Sequence, residues 1–484
     1  MAGAVTAAKR KATQARAAEP ALLEKVTVLA KKSKNTVSLL GGTVRVLYWE
    51  SILGDTVKAS IVFTDAGNTM TANKQTKRGT RKSKKKVSAV EGLPITGGEQ
   101  VDLKFTDNNG NSVNFGKGGN NLFINNRRDI PTKSQTSGKT YELILTSKEF
   151  IDNANSQVGH CSAEQLDIQV KNILKDVLKS EKVKDENFEE TKNSMNYIGN
   201  NKKAFYTINN LATKSVSAKD QELGVSAGYF FWETADGYYF KSIDTLLSGE
   251  QKKSIIYNES ADNKIPKGYD IKALTLETDS LIDVEQKKSL GATKTKSVKI
   301  DPFTTQYEVT TLDAFTFEGD LELAGKELPP DNKIFDTKPS RTTFWFATTG
   351  QQHMGESEEQ IEKSKEENFK KSEVVNQAIM RYNQLFAFQI TITIPGEFSL
   401  HAGDCVYMDI PEVSESENKA CGDDVNKMDG GLYIIADLCH YITAKETYTK
   451  LNLIRDSVGR TGTPTKGNDK VSKVMSSNFL TNIK

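Results

Sequence analysis

The sequence predicts a mainly β protein with α+β insertions, and three stretches carry that prediction. From Leu385 to Arg460 the chain reads as successive strands with short turns. From Thr56 to Thr64 the apolar residues Val57, Ala59, Ile61 and Phe63 alternate, mostly with polar neighbours (Lys58, Ser60, Thr64), the mark of a strand with one buried face. Between 151 and 250, helical spacing appears and then gives way to two aromatic runs around Asp236-Gly237.

Residues 1–24 are Ala-rich and polar and read as a flexible N-terminus. Val26–Ala30 and Thr36–Leu40 are short strand candidates, followed by Thr43–Ile52 and Thr56–Thr64 joined at Leu53-Gly54-Asp55. The pattern then collapses into a basic insertion, 70–88, where Lys74, Lys77, Arg78, Arg81, Lys82, Lys84, Lys85 and Lys86 occur with no acidic residue between them. Such a block is normally solvated, and it reads as a loop that interrupts a strand series. Strands resume at Glu99–Thr106, Ser112–Phe115, Leu122–Asn125 and Lys139–Thr146, completing a first β module over 25–150.

Ser162 with Gln165 has the spacing of a capping box, ahead of an apolar face made by Leu166, Val170, Ile173, Leu174, Val177 and Leu178. A second helix, Asn201–Val216, gathers Ala204, Phe205, Ile208, Leu211 and Ala212. With the aromatic hairpin, these make 151–250 an α+β module. KTKSVKIDPFTTQYEVTT, starting at Lys294, reads as strand–turn–strand, and Thr342–Thr348 as a further strand.

Glu358–Leu385 reads as a charged helix with pairs four apart (Glu359 with Lys363, Glu366 with Lys370, Glu367 with Lys371) and a docking stripe of Val375, Ile379 and Tyr382. Then come Phe386–Ile394, stopped by Pro395-Gly396, and Cys405–Ile410, closed by Pro411. Leu432–Thr443 and Tyr448–Ile454 follow, and closing these strands on themselves would remove exposed edges, giving a small β-barrel. Residues 461–484 read as a flexible tail.

The 484 residues suggest about two to four domains, and Lys+Arg 65 against Asp+Glu 63 favours no polyanionic partner for the chain as a whole. Cys161, Cys405, Cys421 and Cys439 are too few for a disulfide scaffold. His160, His401 and His440 lie near or beside three of them, yet no pair has zinc-ligand spacing, so they read as reduced, buried thiols. Lys9, Arg10, Lys11 and Arg16 precede no apolar region, and no run approaches the roughly 20 apolar residues of a membrane span. A reducing cytoplasm and no membrane anchoring are therefore expected.

Chemistry is sparse. Asp404 with Asp409 and Asp423 with Asp424 are carboxylate pairs, but Asp at turns more often satisfies local backbone. Asp107-Asn108-Asn109-Gly110-Asn111 opens like a calcium loop, yet the required Gly falls on Ser112 and the twelfth position is Gly118, so a hairpin turn fits better. Gly116-Lys117-Gly118-Gly119 precedes no helix that could hold a phosphate. We expect no catalytic, cofactor-binding or metal site. The basic block could neutralise phosphates, but it lacks aromatics for stacking on bases, and the solvated-loop reading outweighs a nucleic-acid arm.

SIVFTDAGNT at 60–69, GYFFWETADGYYFKSIDTLL at 228–247, KSVKIDPFT at 296–304 and IPGEFSLHAGDCVYMDIP with GLYIIADLCHYI and TYTKLNLIRDSVGR resemble the central hub protein of contractile-tailed bacteriophage baseplates. That resemblance implies two barrel-like tube domains per chain, 25–150 and 251–310 with 385–460. A peripheral α+β domain would span 151–250, and 311–384 would be an inserted mixed and helical segment. It implies a homotrimer whose six barrels form a ring between tail tube and central spike, touching baseplate wedge proteins and enclosing a channel through which DNA passes. It places the protein in the virion tail, assembled in the bacterial host cytoplasm. The alternatives are a tail-associated cell-wall hydrolase, whose carboxylate or zinc constellation is missing from the sequence, and a virion protein binding nucleic acid through 74–86.

Overall fold

Fifteen strands hydrogen-bond into one sheet, and the element that joins its two halves is Gly431–Thr443. In this computed structural model the described residues are 19–31, 35–67, 70–74, 83–116, 120–131, 138–195, 197–219, 227–257, 265, 268–278, 283–300, 305, 307–316, 321–329, 338–346, 371–386, 388–410 and 428–464. The first half runs through Thr43–Ser51, Lys58–Asp65, Lys139–Ser147, Leu122–Ile130, Gln100–Thr106, Leu22–Leu29 and Thr36–Ser38. Ser112–Phe115 pairs with Gln100–Thr106 beside this path. Its core gathers Val26, Tyr48, Ile61, Phe105, Phe115 and Leu143.

The second half contains Thr447–Arg455, Phe388–Pro395, Cys405–Asp409 and Gln251–Tyr257. Ile271–Ala273 lies parallel to Gln251–Tyr257, and Thr275–Glu277, only Leu274 later, pairs with Phe388–Pro395. Alternate residues Ile390, Ile392 and Ile394 turn into a core with Val406, Met408, Ile435 and Leu451. Two barrel-like domains were expected, but no closed barrel forms among the described residues, and the strands of both halves share one sheet. Gly431–Thr443 is thirteen residues long, and its C-terminal part reaches beyond its own module to pair antiparallel with Thr43–Ser51. Pairing those two strands satisfies both rows of backbone groups without leaving either edge open.

The α+β segment has its own core of Leu166, Val170, Leu174, Phe205, Ile208, Leu211, Phe231, Tyr238 and Phe240. Its first helix, Leu166–Asn172, starts at Gln165 with no side-chain cap, so the expected capping box does not form. The Thr191 hydroxyl, brought from outside the local sequence, accepts from Asp167 N at 3.2 Å instead. The second helix is shorter than expected, Ala204–Ala212, because Ser156 and Asn153 side chains accept from Ala204 N and Phe205 N and set its start. The aromatic strands Tyr229–Thr234 and Gly237–Ser242 pair as expected, but Ala235 and Asp236 form the turn, one residue earlier than read. At Gly237 (φ +132°) a Cβ would lie 2.7 Å from the Lys182 carbonyl oxygen, so only glycine fits.

Lys294–Ile300 and Tyr307–Asp313 pair as strand and partner, but with Arg341–Phe346 they form a separate three-stranded sheet instead of joining the second half of the large one. Helix Lys371–Leu385 packs against that sheet and is buried well beyond the expected stripe, with Val374, Ala378, Met380, Arg381 and Leu385 all inside. The expected pairs around Glu359, Glu366 and Glu367 lie outside the described residues.

The basic insertion also differs from the loop expected of it. Met70–Lys74 and Ser83–Val87 form a two-stranded antiparallel ribbon, with 75–82 outside the described residues. Backbone pairing needs no apolar periodicity, which is why a hydrophobicity reading passed over it.

Candidate functional site

The junction of the two halves is the most elaborately built part of the molecule, and its two faces differ. Pairing sets Tyr48 opposite His440 and Glu50 opposite Leu438 on the inner face. The His440 and Tyr48 rings stack at 5.9 Å, and Phe398 meets His440 edge-on at 4.7 Å. Burial pushes the His440 pKa down to about 3, so the ring is neutral and bonds Thr449 Oγ1 through Nδ1 at 2.9 Å.

One step along, the fully buried Glu50 carboxylate accepts from Tyr48 Oη at 2.7 Å and from Ala235 N and Ala402 N, both at 2.9 Å. His401 Nδ1 lies 3.0 Å from its Oε1. Burial alone would push the Glu50 carboxyl up, but the His401 charge and these hydrogen bonds outweigh it and hold it below its ordinary value. Burial likewise opposes charge on His401, yet Glu50, Asp236 and Asp404 raise it to about 9. This knot ties together a first-half strand, the turn of the aromatic hairpin and the His401–Asp404 turn. Trp232 Nε1 donates to Ala402 O at 3.0 Å, and a Cβ on Gly403 would lie 2.5 Å from the Trp232 ring.

A second knot fastens the α+β segment to the first half. Lys182, 5 % exposed, reaches Glu233 at 2.7 Å and Glu149 at 3.0 Å. Glu233 accepts from Val57 N at 3.1 Å, and Glu149 from Ser180 Oγ at 2.7 Å. Burial pushes the Glu233 carboxyl up, Glu149 adding to it. Burial also opposes charge on Lys182, but the two carboxylates overcome it and raise the ammonium.

The outer face of the junction carries an open cleft of about 620 Å³. Trp49, Leu53 and Phe150 form its apolar wall, each more than a third exposed, with Lys58, Asp437 and Lys450 at its polar rim. Cys439 lines it too, but burial pushes that thiol up to about 11, so it is a neutral thiol and not a ready nucleophile.

The residues singled out from sequence are scattered. Cys405 is buried and pushed up to about 12. The Cys161 side chain, Cys421, Asp423 and Asp424 lie outside what is described. Asp404 receives His401 N at 2.8 Å and pairs with Lys252 at 3.0 Å. Asp409 is bound by Tyr269 and by Arg460 at 2.7 Å. Asp107 holds its turn, accepting from Asn109 N and Asn111 N. Among the described residues no three His, Cys, Asp or Glu side chains are grouped to hold a metal ion.

Sequence reasoning missed Glu50, Lys182 and Glu233. A signal existed for two of them. Glu50 shares the inward parity of Val46 and Tyr48 in TVRVLYWES, and Glu233 closes an otherwise aromatic run.

No family model matches the chain, and no curated protein matches it. It is similar to the solved structure of a tail protein from Neisseria meningitidis MC58, at 10% identity over 89% of this chain and 96% of that one, TM-score 0.48. It is also similar to the 43 kDa tail protein of prophage MuSo2 from Shewanella oneidensis, at 9% identity over 90% and 98%, TM-score 0.46. A third is prophage tail protein gp18 from Listeria monocytogenes, at 9% identity over 94% and 98%, TM-score 0.40.

Proposed function

We propose that the chain is a structural component of a phage tail, the central hub of a baseplate. In this reading 25–150 is one tube domain, the strands within 251–277 and 388–455 build the other, and 151–250 is its peripheral domain. The observation that carries it is the junction: two β modules per chain, joined edge to edge by Thr43–Ser51 and Gly431–Thr443 and locked in relative orientation by the Glu50 knot. A rigid pair of modules is what a ring with twofold pseudo-repetition inside each subunit requires. Three such chains, closed by cyclic symmetry, would present six modules around a channel, matching a sixfold tube on one side and a threefold spike on the other. The hub carries no chemistry of its own; its partners are copies of itself, the spike, the tail tube and wedge proteins, and DNA in transit.

Light scattering of the purified chain, alone and with its spike, should give a trimer in at least the second sample, and negative-stain images should show a six-lobed ring. A stable dimer in both samples would refute the hub reading.

A further inference from the structure

The small three-stranded sheet sits in the molecule with its polarity reversed. The face on the side of helix Lys371–Leu385 carries Thr295, Ser297 and Leu312, all buried, and Leu312 shares a cluster with Met380 of that helix. The buried Thr295 hydroxyl has no hydrogen-bond partner among the described residues. The opposite face carries Val298 and Ile300, half-buried, with Val309 and Phe344 in register on either side of Val298 and Tyr307 beside Ile300. Tyr307 is 74 % exposed, Phe344 65 % and Val309 46 %. A sheet with one face in water ordinarily buries its apolar side and turns its hydroxyls outward. Here the hydroxyls lie inside and the apolar row outside, so the outer face is built to be covered.

We propose that this outer face docks into the junction cleft of a neighbouring copy of the chain. The cleft has the matching form, a hollow of about 620 Å³ walled by Trp49, Leu53 and Phe150, against a face that holds Phe344 and Tyr307 outward. Charge matches as well. Lys296, at the margin of the apolar row, faces Thr311 and Thr342 across the sheet, both neutral. At the cleft rim Lys450 is already paired with Glu277 at 3.2 Å, and the Asp437 carboxylate, which takes a hydrogen bond from Asn452, can accept a lysine from the facing copy. By strand spacing and rise the sheet face covers only about 300 Å². That is far below the roughly 800 Å² per partner of a stable interface, so it cannot hold a twofold dimer face to face. It can be one part of a larger contact between subunits that meet through different surfaces. Such a contact needs two unlike, complementary patches on every chain, and this chain carries both. The proposal rests on the hub reading in taking a copy of the chain as the occupant, and it adds which surfaces meet.

The test is a photo-crosslink in the full chain. Phe344 is replaced by p-benzoylphenylalanine, and equal amounts of isotope-labelled and unlabelled chain are mixed at high concentration and irradiated. Products are mapped by mass spectrometry, with light scattering on the same sample. Mixed-isotope cross-links to residues 49–58, 150 or 437–450 are expected. Leu53→Lys, which would bury an ammonium beside Lys296 in the contact, should cut their yield at least about tenfold. Leu53 is 61 % exposed, just after Thr43–Ser51, so that variant should melt with the parent, and Leu53→Met should keep the yield. An unchanged yield in the lysine variant would overturn the proposal. So would cross-links confined to single copies, in favour of a segment of the same chain, and links between copies at other residues, in favour of another patch. A trimer without the expected links would sink this contact and leave the hub reading standing. The expected links in an assembly that is not a trimer would support the contact and refute the ring.

Discussion

The two buried ionic knots do the same structural task with opposite chemistry. In the Glu50 knot one carboxylate collects four donors, and its cation, His401, titrates near neutrality when unperturbed. In the Lys182 knot one ammonium is shared by two carboxylates, Glu149 and Glu233, which overcome its burial and raise it above its ordinary value. The first is over-supplied with donors and sits at the sheet junction. The second is over-supplied with negative charge and fastens the α+β segment. A buried ion pair is weak evidence for stability as such, but losing one partner strands the other in a low dielectric. The difference therefore predicts which break is worse.

Lys182→Met should be the most damaging single change, since it leaves two carboxylates facing each other without a cation. A loss on the order of 3–5 kcal/mol is expected, read from urea denaturation followed by the α+β segment's tyrosines. Glu50→Gln should come second. It keeps an acceptor for some of the four donors but removes the charge that sustains His401, and about 2–3 kcal/mol is expected from weakening charge-assisted bonds. Equal losses from the two variants would erase the distinction between the knots.

Titration should separate the knots without any mutation. The folded His401 pKa, about 9, exceeds its ordinary 6.5, so its contribution is complete below 6.5 and lost as pH rises through 9. Glu50 is held below 4.5, so its contribution is present above 4.5 and lost as pH falls through the lower folded value. The Glu50 knot is thus strongest between about 4.5 and 6.5 and weakens on both sides. Glu233 is raised above 4.5, which makes its ionisation a cost incurred as pH rises past 4.5. Acidification should therefore relieve the Lys182 knot while it loosens the other. Hydrogen exchange resolved to peptides should show Ala235 and Ala402 amides, which donate to Glu50, losing protection first in acid and again near pH 9. Val57, which donates to Glu233, should keep its protection through both changes. Parallel loss at all three amides would mean the knots report one global opening.

Much of the sheet was legible because its strands obey a local rule. Ile390, Ile392 and Ile394 alternate inward with no help from distant sequence, as do Val57, Ala59, Ile61 and Phe63. What crosses between modules was not legible. Nothing within Gly431–Thr443 announces that Thr43–Ser51 will pair with it, because an unpaired strand edge accepts any partner of compatible pattern. The small sheet shows the same limit, since Arg341–Phe346 adds in parallel from more than forty residues away. The helix start at Gln165 failed to follow its local signal because a tertiary hydroxyl, Thr191, took over the cap. Glu50 and Glu233 could have been flagged by their inward parity, but their partners could not.

The smallest expected effect tests the geometry that supports the Glu50 knot from behind. Gly403 has φ +87°, where a side chain is strained, and a Cβ there would come within 2.5 Å of the Trp232 ring. Trp232 is held by its bond to the Ala402 carbonyl, and the Ala402 amide is one of the four Glu50 donors. Gly403→Ala therefore has to move either the indole or the turn that carries His401. About 1–3 kcal/mol of destabilisation is expected from the positive φ and the overpacking together. The informative reading is its sum with Glu50→Gln. If both act through the His401–Asp404 turn, the double variant should lose less than the two singles added, since residues in one network do not act independently. Full additivity would mean that Gly403 matters only to Trp232, and that the knot holds its geometry without support from the aromatic hairpin.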